Sequence, residues 1–192
     1  MILSPIGRAP NAPRRNDGPA RRAGPLARLG SVSTPAIVQL ERAGRAFAVH
    51  QFEHDPADRH YGMAAARALG VDPDRMFKTL LADVVGGSGA ITQVVGIVPV
   101  SAQLSLKELA AAVGGKRAEM CDPSVAERLT GYVVGGISPF GQKKRLRTVI
   151  DETAELSETI FVSGGKRGLD LEVTPAVLIE VLEASVGPIA VW

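Results

Sequence analysis

Residues 77–100 constrain the fold more than any other part of the chain. FKTLLADVV (77–85) and AITQVVGIVPV (90–100) are two long apolar runs separated by GGSG, the pattern of an antiparallel hairpin. A hairpin of this apolarity belongs inside a sheet covered by helices. AFAVHQF (46–52) has apolar residues at every second position, as a half-buried strand requires. YVVGG, RLRTVID, TIFVSGG and LDLEV read as four further short strands between glycine-rich turns. Helix starts are well marked. Thr34-Pro35, Asp122-Pro123 and Thr174-Pro175 each set a capping side chain before a proline at the first helical position. Ser105 with Glu108 reads as a capping box opening SLKELAAAVG, which stops at Gly114. A first helix ends at Gly44, and another covers Tyr61 to Leu69 before Gly70. The expected class is α+β, a central mixed or antiparallel sheet with surrounding helices. No repeat of 20 to 50 residues appears.

Composition excludes several alternatives. The chain has 192 residues, 45% of them hydrophobic and 22% charged, which fits a globular domain and not a wholly disordered one. No apolar stretch approaches the roughly 18 residues of a membrane span. A single cysteine, Cys121, leaves no internal disulfide and no cysteine-built zinc site. Aromatics at 4% argue against modules that stack RNA bases on exposed rings. Charge is divided unevenly along the chain. Residues 1–30 hold six arginines and one acid, Asp17, with five prolines and four glycines, and carry +5. The whole chain carries +2, so residues 31–192, with 16 basic and 19 acidic side chains, carry −3. Residues 1–30 are therefore expected to be a disordered basic extension without the features of a secretory signal, and residues 31–192 the folded domain. Residues 189–192 read as a short apolar end with no evident role.

Four places could carry chemistry. Lys78 is a lone ammonium in an apolar strand, either snorkelling from a sheet edge or serving a site. In TGYVVGGISPFGQKKRL (130–146), Gly135, Gly136, Pro139 and Gly141 bend the chain around Ser138, so that amide protons could face an oxygen; a plain tight turn before a solvated basic run is the other reading. SGGKRGLDLEV (163–173) is a second glycine turn with Lys166 and Arg167, followed by Asp170, which either reaches solvent or faces a partner across the sheet. HQFEHD (50–55), with His60 nearby, has metal-ligand residue types on a strand and turn where their spacing does not converge, so no metal is expected. Neither a nucleophile elbow nor a histidine near Cys121 in sequence supports nucleophilic catalysis by the protein.

FEHDP, FKTLL, VAERLTGYVVGGISPFGQKKRL and IFVSGGKRGLDLEV together resemble the YbaK/EbsC family of aminoacyl-tRNA deacylases, with the nearest likeness to its bacterial Cys-tRNA(Pro) deacylase branch. The likeness runs from about Thr34 to Ile189, and the family is homologous to the editing insertion domain of bacterial prolyl-tRNA synthetases. The resemblance implies clearance of mischarged Cys-tRNA(Pro), or Cys-tRNA(Cys), in the cytoplasm without a cofactor or metal. A prolyl site discriminates only about 1–3 kcal/mol per methylene and admits cysteine, so a second, chemical test is needed. The family's implied test is attack of the substrate's own thiol on its ester carbonyl, which releases tRNA and a cyclic thiolactone.

By the same resemblance, Lys78 is the family's essential lysine, Gly135 and Pro139 its GxxxP loop, and Asp170 the acid of its GLD motif, expected to hold the α-amino group. Phe52, Gly136, Ser138, Pro139, Ser163 and Gly164 are the implied substrate-binding positions. Phe52 stands where the family often has tyrosine, which bears on amino-acid preference. The expected partners are the acceptor end of tRNA(Pro) and prolyl-tRNA synthetase. A water-dependent deacylase of Ala-tRNA(Pro) or another mischarged tRNA, and a non-catalytic tRNA- or synthetase-binding adaptor, are the competing expectations.

Overall fold

A computed structural model describes residues 32–55 and 57–192. The basic extension expected at 1–30 lies outside the described residues. In chain order the elements are α1 (Pro35–Arg42), β1 (Ala48–Gln51), α2 (Tyr61–Leu69), β2 (Met76–Val85), β3 (Ile91–Pro99), β4 (Gln103–Leu104), α3 (Leu106–Ala112), β5 (Arg117–Met120), α4 (Pro123–Thr130), β6 (Arg147–Asp151), β7 (Ile160–Lys166), β8 (Leu169–Val173), α5 (Pro175–Leu182), β9 (Ser185–Gly187) and β10 (Ala190–Val191). The caps work as the sequence implies. Thr34, Asp122 and Thr174 accept from Ile37 N, Ser124 N and Val177 N at the starts of α1, α4 and α5. Ser105 caps α3 by accepting from Glu108 N. The reciprocal half of the box is absent, because Ser105 N donates instead to Ile189 O at 2.7 Å.

The main sheet runs β1-β8-β7-β2-β3-β6-β9, with β5 also paired to β2. It is mixed: β2–β7, β3–β6 and β6–β9 are parallel and the other pairs antiparallel. The β2–β3 hairpin is its centre, paired over nine positions from Phe77↔Pro99 to Val85↔Ile91. One buried cluster joins Ala82, Val84, Val94, Val98 and Val149 to Leu109 and Ala110 of α3 and to Ile189. A second joins Ala65 and Ala66 of α2 to Met76, Val100 and Phe161. Each such large apolar side chain contributes about 1.5–3 kcal/mol on burial.

Two local expectations are corrected. YVVGG (132–136) is not a strand. Gly131 ends α4 in the left-handed region, Gly135 has φ +84°, and both polar backbone atoms of Val134 are taken by side chains, leaving no ladder to join. The strand is instead β5, whose four residues RAEM alternate polar and apolar over too short a run to stand out in the sequence and whose strand is set by pairing with β2. The end of the chain also has a role. β10 pairs with β4, and Ile189 is wholly buried.

Candidate active site

The long strand β2 creates the site by outrunning its neighbours. On the edge away from β3, Met76 and Phe77 pair with β7, and Ala82 to Val85 pair with β5. Residues 78–81 lie in the fork between those two strands, where Leu81 O accepts from Cys121 N. A cavity of about 410 Å³ opens there, walled by β2, α2, the 134–137 loop and the 163–170 turn.

Lys78 stands in this wall and is half-buried. Its Nζ donates to Ala102 O at 2.6 Å and to Val100 O at 3.4 Å. An ammonium has three protons, so one is left for a ligand. Burial holds the Lys78 pKa below its ordinary value. Asp170, only 7% exposed, lines the same cavity from β8, level with Ser163 on β7. Burial pushes its pKa up to about 7. It therefore neither reaches solvent nor meets a charged partner across the sheet. Lys78 and Asp170 form no salt bridge with each other, so each can meet a ligand group of opposite sign.

Three buried side-chain polar atoms among the described residues lack a hydrogen-bond partner: His54 Nε2, Thr79 Oγ1 and Asp170 Oδ2. All three belong to cavity-lining residues. Folded proteins rarely leave such atoms unpaired, and their convergence on one cavity marks a place built for a polar ligand.

The 133–137 loop forms one rim. At Gly135, with φ +84°, an added Cβ would lie 2.6–2.7 Å from the Tyr61 ring, so only glycine fits. At Gly136 an added Cβ would sit about 3.0 Å from the backbone of Lys166, so the two glycine loops touch directly. Gly135 N and Ile137 N donate to no protein acceptor among the described residues, and both residues line the cavity.

Of the expected site residues, Lys78, Gly135, Asp170, Phe52 and Ser163 line this cavity. Gly136, Ser138, Pro139 and Gly164 do not. Gly136 is the spacer just described. Ser138 is wholly buried, its Oγ accepting from Phe140 N and its carbonyl from Gln142 Nε2. Pro139 faces a separate cleft with Gln39 and Arg145. Gly164 O accepts from Thr34 Oγ1 at 2.6 Å. These four hold the loops in place. Thr79, His54, Tyr61 and Arg167 also line the cavity. A threonine in an apolar run gives no signal of a site, and only the unpaired hydroxyl reveals it.

Cys121 lines the cavity too, but burial and the Asp83 carboxylate beside it raise its thiol pKa. A protonated thiol is a poor nucleophile. The histidines do not converge: His50 pairs with Glu172 at 3.0 Å, His54 packs on Tyr61 and His60 is exposed. Among the described residues no group of three His, Cys, Asp or Glu side chains is placed to hold a metal, and no helix is long and apolar enough to cross a membrane.

Comparison with known proteins agrees with the motifs. The family model for the aminoacyl-tRNA editing domain matches residues 60–181. The chain belongs to that family. It is 40% identical over 116 residues to EbsC of Enterococcus faecalis, assigned as a Cys-tRNA(Pro)/Cys-tRNA(Cys) deacylase, covering 60% of this chain and 68% of that protein. It is 37% identical over 67 residues to the multifunctional Ser/Thr-tRNA deacylase ProXp-y of Escherichia coli K12, covering 35% of this chain and 40% of that one. A crystal structure assigned as a trans-editing enzyme for prolyl tRNA synthetase superposes with a TM-score of 0.69 at 26% identity, covering 84% of this chain and all of the other. The expected editing fold, a mixed sheet with surrounding helices, is the fold found.

Proposed function

We propose that this editing-family protein is a trans-acting aminoacyl-tRNA deacylase that clears Cys-tRNA(Pro) by substrate-thiol-assisted cleavage. The observation that carries the reading is one cavity with an uncompensated ammonium, a buried carboxyl group and unpaired polar atoms, but no activated nucleophile of the protein's own.

In this reading Asp170, as carboxylate, receives the α-ammonium of the aminoacyl group. The Lys78 ammonium offsets negative charge developing on the ester oxygens. The amide of Gly135 donates to the carbonyl oxygen as it becomes an oxyanion. The substrate's sulfur bonds to the ester carbon as the thiol gives up its proton. The carbon–oxygen bond to the ribose breaks, and the ribose oxygen takes a proton. The site's contribution is a fixed near-attack geometry and placed charge, so no cofactor is required. Residues 31–192 carry −3, which disfavours tight capture of bare tRNA. Selection of tRNA(Pro) is assigned to prolyl-tRNA synthetase as partner, in the cytoplasm, with only the acceptor end entering here.

The 67-residue likeness to a Ser/Thr-tRNA deacylase favours a second reading, in which water attacks a seryl, threonyl or alanyl ester. Phe52, which lacks a tyrosine's hydroxyl, is then the first residue to examine. Purified Cys-tRNA(Pro), Ala-tRNA(Pro) and Ser-tRNA incubated with wild type and Lys78→Ala separate the two. Loss of the cysteinyl ester alone, dependent on Lys78, supports the thiol-assisted reading. Turnover of esters without a thiol moves the protein to the water-dependent branch. Binding without turnover leaves the adaptor reading.

A further inference from the structure

Val134 is exposed and apolar at the cavity rim, yet its backbone is unusually well held. Its N–H donates to Glu127 Oε1 at 2.8 Å, from α4. Its carbonyl accepts two bonds from the Arg167 guanidinium, at 2.8 Å from Nη2 and 3.2 Å from Nε. The same guanidinium lies over the Tyr61 ring, 4.6 Å from its centre. That ring occupies the space where a Cβ on Gly135 would be. Arg167 thus ties together three walls of the cavity that meet at the glycines: the start of α2, the 133–137 loop and the 163–170 turn. Ordinary loops leave such backbone groups to water. Here two charged side chains hold one residue by its N–H and its carbonyl, and the next residue, which lines the cavity, has an amide without a protein acceptor among the described residues.

We propose that Glu127 and Arg167 are positioning residues: together they clamp Val134 so that the unpaired amides of Gly135 and Ile137 are presented to the cavity. The inference rests on the deacylase reading for its catalytic consequence, but its structural half stands independently. The guanidinium's fork and planar stacking are both used, so lysine restores only part of the clamp.

The test combines amide hydrogen exchange with single-turnover deacylation for Arg167→Ala, Arg167→Lys, Glu127→Gln and Arg147→Ala. Arg147 donates to the Val113 carbonyl at 2.8 Å, away from the cavity, and serves as a control for loss of a surface arginine–carbonyl bond. Arg167→Ala is expected to speed exchange at Val134 and Gly136 at least about tenfold while leaving β2 and β3 protected. It is expected to lower kcat about 10- to 100-fold, with KM changed less than about threefold, because a misplaced donor costs rate and not binding. Arg167→Lys should fall between wild type and Arg167→Ala. Adding Glu127→Gln to Arg167→Ala should cost less than the two single effects combined. Unchanged exchange at 133–137 overturns the clamp whatever the activity. Faster exchange with unchanged kcat overturns its catalytic role, as does an Arg147→Ala loss of equal size. If wild type cleaves no aminoacyl-tRNA, the deacylase reading and with it the catalytic half of the clamp fall, and the exchange data still decide the structural half.

Discussion

Two aspartates sit in strands of the same sheet, both almost fully buried, in regions with opposite needs. Asp151, at the end of β6, is 2% exposed and Asp170, in β8, is 7% exposed. Asp151 Oδ1 accepts from Thr153 N and Thr153 Oγ1, and Oδ2 accepts from Ile189 N at 2.9 Å and Ala190 N at 2.7 Å. It is the peg on which the last strand hangs. Asp170 Oδ2 has no partner at all. A buried carboxylate with four donors stabilises the fold, whereas one without them is a cost that persists only where a ligand makes use of it. The difference separates a corner built for stability from a cavity built for binding.

The largest expected effect that tests this contrast is on stability against pH. Asp170 ionises near pH 7 when folded and near its ordinary 3.8 when unfolded. Between those values the unfolded chain has released a proton that the folded chain keeps, so raising the pH favours unfolding by roughly 4 kcal/mol across the window. Above pH 7 the slope from this group vanishes. Urea denaturation of wild type and Asp170→Asn at several pH values reads it, and parallel curves for the two proteins would sink the account of a buried, unpaired acid.

Asp151→Ala removes the acceptors of three backbone amides, Thr153 N, Ile189 N and Ala190 N, and of the Thr153 hydroxyl. It should cost about 3 kcal/mol, seen as a lower urea midpoint. An equal fall in the urea midpoint for Asp170→Asn would erase the distinction between the two regions.

Activity should divide the pair the other way. Asp170→Asn is expected to lower deacylation about 10²-fold while the protein stays folded, a loss of about 2.7 kcal/mol of transition-state stabilisation. In wild type kcat/KM should rise from pH 6 to 8 as the carboxylate forms, an inflection that Asp170→Asn lacks. A wild-type profile flat through pH 7 would detach Asp170 from the ammonium. The smallest effect is expected of Cys121→Ser, less than about threefold on kcat, because its thiol is protonated at neutral pH. A collapse of activity in that variant would instead make the protein's own sulfur the nucleophile.

Much of this architecture was legible in the chain. Proline after a capping residue fixed the starts of α1, α4 and α5, because cap and N1 preferences are local. The β2–β3 hairpin was legible from two apolar runs around GGSG. Strand β5 was not, since one alternation over the four residues RAEM is too short a signal and the strand is set by the edge that β2 offers it. The final residues were unreadable for a similar reason: their hydrogen bonds go to Asp151, 38 and 39 positions earlier. Within the site, Lys78 and Asp170 stand out as charges in apolar strands, and Gly135 stands out through its glycine-rich loop and the family motif it resembles. Ser138, Pro139 and Gly164, drawn from the same motifs, lie away from the cavity wall.

The sequence by itself determined the helix starts, the central hairpin, the family and the odd residues worth examining, because helix caps, turn glycines and lone charges in apolar runs are local signals. Only the tertiary structure decided which of them share a cavity. That outcome depends on β2 being longer than β7 and β5, which opens the fork, and on Arg167 and Glu127 reaching one carbonyl and one amide of Val134. These are distances between segments far apart in the chain, and no local preference encodes them.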